Sequence, residues 1–372
     1  MGVLTACETL AFLLVGLPAG AWVDRWHKRR VLIASDVLRA LLYGWVPFAW
    51  WLGILALWQL FAVATLVGIC TVFFDVAYQS YLPHLVEGEE LVSGNSRLQA
   101  SESVAQVAGP AVAGGLLHVV SAPFVVGLDA LSFLGSTLFV SRIQRRETPP
   151  ARHERRPLRT EVAEGLGFVL KHSLLRRIVA CTSLSNLFGS MTMALFVLFV
   201  LRDLGLSTGV VGLVFSASAV GGLAGALASG WVAGLLGAGR TIPVTAILMA
   251  PAMALTPLAA LTSGPWPVVL LIGGGVMFFA LVVIYNITQV SYRQRACPPN
   301  LLGRMNASVR FIVWGTQPIG ALIGGALGAA FGIVPVLWLT VAGTALSALP
   351  VVISPLMGMK DFPDEPMTAG AS

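Results

Sequence analysis

The chain has 372 residues, 56% hydrophobic and 11% charged, a balance that excludes a single soluble core and fits a protein immersed in lipid over most of its length. A formal net charge of +6 would suit a nucleic-acid partner if the cations shared one surface. Instead Lys and Arg fall in a few short loops at the ends of apolar runs, a pattern that reads as membrane topology and excludes nucleic acid. The four cysteines, Cys7, Cys70, Cys181 and Cys297, lie far apart and match no metal or redox spacing, so no disulfide framework, metal or cofactor is expected.

Taken in order, the first apolar run covers roughly Gly2 to Trp22 and is broken only by Glu8. It opens at Met1 without a small-residue cleavage site, so no removable leader is expected. It ends in a dense polar loop with Gly20, Asp24, Arg25, His27, Lys28, Arg29 and Arg30, followed by Leu32. Four further spans are predicted at Val31 to Leu52, Ala56 to Leu82, Arg97 to Val119 and Pro123 to Val140. From Ser141 to Leu175 the chain turns polar, basic and proline-bearing, and apolar residues from Leu158 to His172 recur at helical spacing, which predicts an amphipathic helix on a membrane surface. Six more spans follow: Ile178 to Leu201, Val210 to Leu236, Ile242 to Leu261, Val268 to Val290, Val309 to Phe331 and Val334 to Leu356.

The spacing of Gly20, Asp24, Arg25, Lys28 and Arg29 between two apolar helices resembles the loop between the second and third helices of major facilitator superfamily transporters. Trp22 replaces the usual small aliphatic residue and His27 the usual glycine, which leaves the charges intact. The run Asp75, Ala77, Tyr78, Pro83, Leu91, Asn95, Leu98, Glu102, Gly109, Pro110, Asp129 and Phe133 is similar to bacterial exporters related to enterobactin and macrolide efflux proteins. The resemblance implies an all-α integral membrane protein of the major facilitator fold. It implies export of a small hydrophobic or siderophore-like molecule in exchange for protons, as a monomer in the bacterial inner membrane.

The expected domains are an N-terminal bundle over residues 1–141, a basic linker over 142–177, a C-terminal bundle over 178–356 and a tail over 357–372. Arg25 to Arg30, Arg142 to Arg177, Arg240, Arg293, Arg295 and Arg304 sort to one side, which is therefore expected to be cytoplasmic together with the C-terminus. Trp50, Trp51, Trp58, Trp266 and Trp338 sort to the other, as interfacial indoles do.

The halves repeat at an offset of 211 residues: Ser80 and Tyr81 recur as Ser291 and Tyr292, Leu91 as Leu302, Asn95 as Asn306, Gln106 as Gln317, Gly109 as Gly320 and Gly114 as Gly325. The span Ile178 to Leu201 has no partner in this register, so eleven spans are expected where the superfamily has twelve, with the first helix, on the order of 35 residues, missing. An inactive, truncated remnant is the alternative reading. The short loops and the lack of a His-Glu-x-x-His, nucleophilic-serine or phosphate-loop pattern argue against an enzyme or an ATP-driven pump.

Ionisable residues inside spans are functional candidates because each requires a partner or water. Asp36 and Arg39, three apart on one helix face, form either a structural clamp or an ion-coupling pair. Asp75 either pairs with Arg25, Lys28 or Arg39 or, like Glu8, is a further candidate for proton coupling. Glu102 and Asp129 have fewer evident cationic partners and are candidates for proton coupling or substrate contact. Gln106, Asn186, Asn286 and Gln317 supply neutral cavity groups, with Met191 and Met193 as adaptable apolar surface. Gly109, Pro110 and Gly114 give either ordinary close packing or the bent helix that resembles the drug-antiporter signature of the superfamily. Asp24 is expected to meet the start of the helix Val309 to Phe331, whose N-terminus carries partial positive charge, with Lys28 turning to Asp75 or Asp36.

Overall fold

In lipid every backbone N–H and C=O must be satisfied internally, and an apolar run of twenty or more residues does this only as a helix. The computed structural model of the chain describes residues 15–86, 90–117, 121–143 and 157–361, without the side chains of 106, 107, 110–115, 117 and 122. Every regular element among them is helical: α1 (described over residues 15–25), α2 (Lys28–Trp51), α3 (Leu57–Leu85), α4 (Glu90–Leu117), α5 (Ala122–Ser141), α6 (Leu158–Lys171) and α7 (Ser173–Leu198) come first. Then follow α8 (Thr208–Leu236), α9 (Ala238–Leu258), α10 (Trp266–Ala296), α11 (Leu302–Phe331), α12 (Ile333–Ser347) and the short α13 (Leu349–Val352). Among the described residues, nine helical segments are long and apolar enough to cross a membrane, and α4, which carries Glu90, Arg97 and Glu102, is not one of them.

Two helices start earlier than hydropathy predicts: α4 at Glu90 rather than Arg97, and α11 at Leu302 rather than Val309. Within their first two turns, Asn95 and Ser96 of α4 and Arg304 and Asn306 of α11 bond to protein. The predicted outer-end indoles Trp50, Trp51, Trp58 and Trp266 lie at or next to helix ends and are exposed. Helix α7 finishes in a π-turn over Phe199–Asp203.

The chain divides into two compact units. The first comprises Met1–Glu87, Pro110–Val169 and Cys297–Phe311, and the second Gly88–Gly109, Leu170–Ala296 and Ile312–Ser372. The first unit has one apolar core of Val23, Val31, Leu32, Val76, Ala77, Tyr81 and Ala307 and another around Val46, Val63 and Val67. The second is built around Met191, Leu195, Phe199, Val214, Leu271 and Leu337, with α8 and α10 in backbone contact. A Cβ at Gly221 would fall 2.7 Å from the Val276 Cα, and one at Gly225 2.8 Å from that of Ala280. Small residues at such crossings maximise dispersion contact where lipid offers no hydrophobic drive.

Candidate functional site

In the first unit the charged residues of the polar loop, of α6 and of the α11 start converge. Gly20 in α1 and Gly303 in α11 carry no side chain, so the two helices touch. A Cβ at Gly20 would sit 2.7 Å from the Gly303 carbonyl oxygen and 2.5 Å from the Ala307 Cβ. That approach delivers Asp24 to the N-terminus of α11, where unpaired N–H groups and the helix dipole favour an anion. Asp24 Oδ1 accepts from the Gly303 N–H at 2.6 Å, and Oδ2 accepts from the Arg304 N–H at 3.0 Å and from Arg304 Nε at 3.1 Å. Burial pushes the Asp24 carboxyl up to about 6, opposed by the two backbone donors and by the positive charges of Lys28 and Arg304.

Arg304 also binds Glu164 of α6 through Nη1 at 2.6 Å, while Arg25 reaches the buried Glu161 at 2.8 Å. Gly165 lets α6 lie against the Arg304 backbone, where a Cβ would come within 3.0 Å of the Arg304 carbonyl carbon. Helix α6 is the amphipathic helix expected over Leu158 to His172, but its buried stripe of Glu161, Gly165, Phe168 and Val169 meets protein. Arg29 donates to the carbonyls of Val140 and Ser141 at the C-terminal end of α5, where a cation offsets the dipole.

Deeper in the same unit, Arg310 Nη1 pairs with Asp75 Oδ2 at 2.8 Å. The partners expected for Asp75 were Arg25, Lys28 or Arg39. Arg310, two turns into α11, was missed, although a cation inside an apolar helix signals a buried acidic partner. Asp36 and Arg39 form the expected ion pair, and the Arg39 guanidinium lies between two rings, 4.2 Å from the Phe74 centroid and 4.5 Å from that of Phe133. Phe133 in turn stacks on Tyr43 at 5.8 Å. Sequence reasoning also missed Gly303, Glu161 and Glu164, which become meaningful only once α6 and α11 are placed.

The cavity candidates are more dispersed. Glu102 is exposed on α4 and accepts from Gln99 Nε2 at 3.0 Å, and Asp129 is exposed on α5 and accepts from the Ser132 hydroxyl at 3.2 Å. Among the described residues neither forms an ion pair. Asn186 donates to the Val313 carbonyl at 3.5 Å, Asn286 accepts from Gln289 at 3.5 Å, and Gln317 is exposed. Met193 is 57% exposed, whereas Met191 is a correction to the adaptable surface expected of the pair: at 2% exposure it belongs to the core. The side chains of Gln106, Pro110 and Gly114 lie outside the described residues, as does Glu8. A Cβ at Gly109 would meet nothing within 4 Å. Close approach falls instead on its repeat counterpart Gly320, against Leu187, and on Gly324, against Met191.

Residues 1–316 match the sequence model of the Major Facilitator Superfamily. The multidrug efflux pump Tap of Mycolicibacterium fortuitum is 27% identical over 335 residues, covering 87% of this chain and 80% of that one. Macrolide efflux protein A of Streptococcus pyogenes is 25% identical over 145 residues, 38% of this chain and 36% of its own. Among solved structures, a bacterial homologue of the iron transporter ferroportin in the outward-facing state superposes with a TM-score of 0.75 at 17% identity, over 94% of this chain and 89% of the other.

Proposed function

Because the chain belongs to the major facilitator superfamily, and is thus a multi-pass membrane transporter rather than an enzyme, we propose that it exports small hydrophobic molecules by alternating access driven by proton antiport. The observation that carries the reading is the docking of Asp24 on the Gly303 and Arg304 N–H groups, a contact between residues 279 and 280 positions apart that a conformational change can make and break. The alignment with a multidrug efflux pump over most of both chains supports export and a drug-like cargo. A siderophore-like molecule is a narrower possibility within the same class. The basic loops face the cytoplasm of a bacterial cell, in keeping with the charge asymmetry. The Asp24 contact belongs to the outward-facing state, and Arg25, Lys28 and Arg29 hold the loop in place around it.

Proton coupling is assigned to Glu102 and Asp129, which form no ion pair among the described residues, with Asn186, Asn286 and Gln317 as neutral contacts for cargo. The test supplies ethidium or tetracycline to the medium around inside-out vesicles, with and without a pH gradient. Uptake should require the gradient in the parent protein and lose it in Glu102→Gln or Asp129→Asn. Gradient-independent uptake by the parent protein, or unchanged coupling in the double variant, would reject antiport through these carboxylates.

A further inference from the structure

The two compact units do not follow chain order. Each incorporates a helix start from the other sequence repeat: the first takes Cys297–Phe311, and the second takes Gly88–Gly109. At the 211-residue offset these segments are counterparts.

Their contacts are counterparts as well. In the first unit Asn306 Nδ2 donates to Ser80 Oγ at 3.2 Å, and in the second Asn95 Nδ2 donates to Ser291 Oγ at 3.0 Å. Each serine places its own hydrogen on the carbonyl four residues earlier, Ser80 on Val76 and Ser291 on Ile287, both at 2.7 Å, which leaves the oxygen lone pairs for the asparagine. Tyr81 and Tyr292 beside the serines are buried, as are Leu91 and Leu302 at the starts of the two donor helices. Ser80, Tyr81, Leu91 and Asn95 are all identical to their counterparts 211 residues on. The repeat identities therefore gather where each repeat donates a helix start to the other.

We infer that Asn306–Ser80 and Asn95–Ser291 are a pair of reciprocal clasps that must open together for the basic end of the transporter to open. Any motion that parts the repeats withdraws both donor helices from both serines. The clasps are chemically unequal. Around Asn306 the charged contacts of Asp24 with Arg304 and of Asp75 with Arg310 reinforce the bond, whereas Asn95 has a second neutral partner, Gln294 Oε1 at 2.7 Å, where the first repeat has Pro83. The inference rests on the alternating-access reading, but its test needs no cargo.

Cys297, buried at the start of the segment donated to the first unit, is a native reporter. With Cys7, Cys70 and Cys181 replaced by serine, the rate of Cys297 modification by a membrane-impermeant maleimide is measured in inside-out vesicles. Loss of one buried neutral hydrogen bond should raise the open population, and hence the rate, about two- to tenfold. Asn306→Ala and Ser80→Ala should both do so. The decisive variants are Asn95→Ala and Ser291→Ala, whose clasp lies in the other unit. They should raise the rate at Cys297 by a similar factor, and the Asn95→Ala/Asn306→Ala double variant by the product of the two. Ser291→Ala removes one oxygen only and keeps the test open should Asn95→Ala fold poorly. A rise confined to Asn306→Ala and Ser80→Ala, with Ser291→Ala at the parent rate, would mean local fraying and would overturn the inference. Vesicles that show this labelling pattern but no ethidium uptake would count against export and leave the clasps standing.

Discussion

Gly303 lies so close to Gly20 that a Cβ on it would fall 2.7 Å from the Gly20 carbonyl oxygen and 2.5 Å from Asp24 Oδ1. The opposing atoms are backbone and a fixed carboxylate, so neither can yield cheaply. Gly303→Ala is therefore expected to push α11 off α1 and to break the Asp24 hydrogen bonds, whereas Gly44→Ala, where an added Cβ meets nothing within 4 Å, serves as a control. Overpacking of this kind costs about 1–3 kcal/mol. Thermal unfolding in detergent should show a clear loss for Gly303→Ala and little change for the control. Equal midpoints would contradict the close crossing.

Asp24 predicts a pH dependence whose sign follows from linkage. Its carboxyl is raised to about 6 when docked, against roughly 4 for an exposed aspartate. Between those values the docked state binds more protons than an undocked one. Acidification through the window favours docking, and above about pH 6 the full cost of a buried carboxylate is already present, so nothing further is lost. Asp24→Asn cannot titrate. The unfolding midpoint of the parent protein should thus rise relative to that of Asp24→Asn as pH falls from 7 to 5, and the gap should be constant from 7 to 8. A parent midpoint that falls relative to that of Asp24→Asn on acidification would reverse the assignment.

Breaking one partner of the Asp75–Arg310 pair leaves the other poorly solvated, with the two side chains 25% and 14% exposed. Asp75→Asn is expected to cost on the order of 1–2 kcal/mol after allowance for that partial exposure, and Asp75→Asn/Arg310→Gln less than Asp75→Asn alone. The double-mutant cycle measures the coupling directly. Strict additivity of the two single effects would show that the residues do not act as a pair.

The helical fold was legible because apolar runs of membrane-spanning length leave the backbone little choice. Asp24 and its loop were legible from spacing, and the Asp36 and Arg39 pair from its three-residue separation. The first turns of α4 and α11 were not. Asn95, Ser96, Arg304 and Asn306 lower the hydropathy there, and a hydropathy window cannot distinguish polar residues that face protein from those that face water. Arg310 was overlooked for a related reason: its partner Asp75 is 235 positions away, and only the fold brings the two charges together. The roles of Glu161 and Glu164 depended on α6 turning its stripe toward protein, which periodicity alone does not specify.

Arg39 offers a way to decide between a clamp and a coupling element. Its guanidinium fills the space between Phe74 and Phe133 while pairing with Asp36, and a planar delocalised cation is required for stacking on both faces. Arg39→Lys keeps the charge against Asp36 and loses the sandwich. As a clamp, it should lower the unfolding midpoint by the equivalent of about 1–2 kcal/mol, and the loss should be smaller in a Phe133→Leu background, where one ring is already gone. Gradient-driven ethidium uptake, normalised to folded protein, should then be unchanged in Arg39→Lys. If stability were unaltered while uptake lost its dependence on the pH gradient, the pair would belong to the coupling machinery, and Glu102 and Asp129 would no longer suffice as carriers.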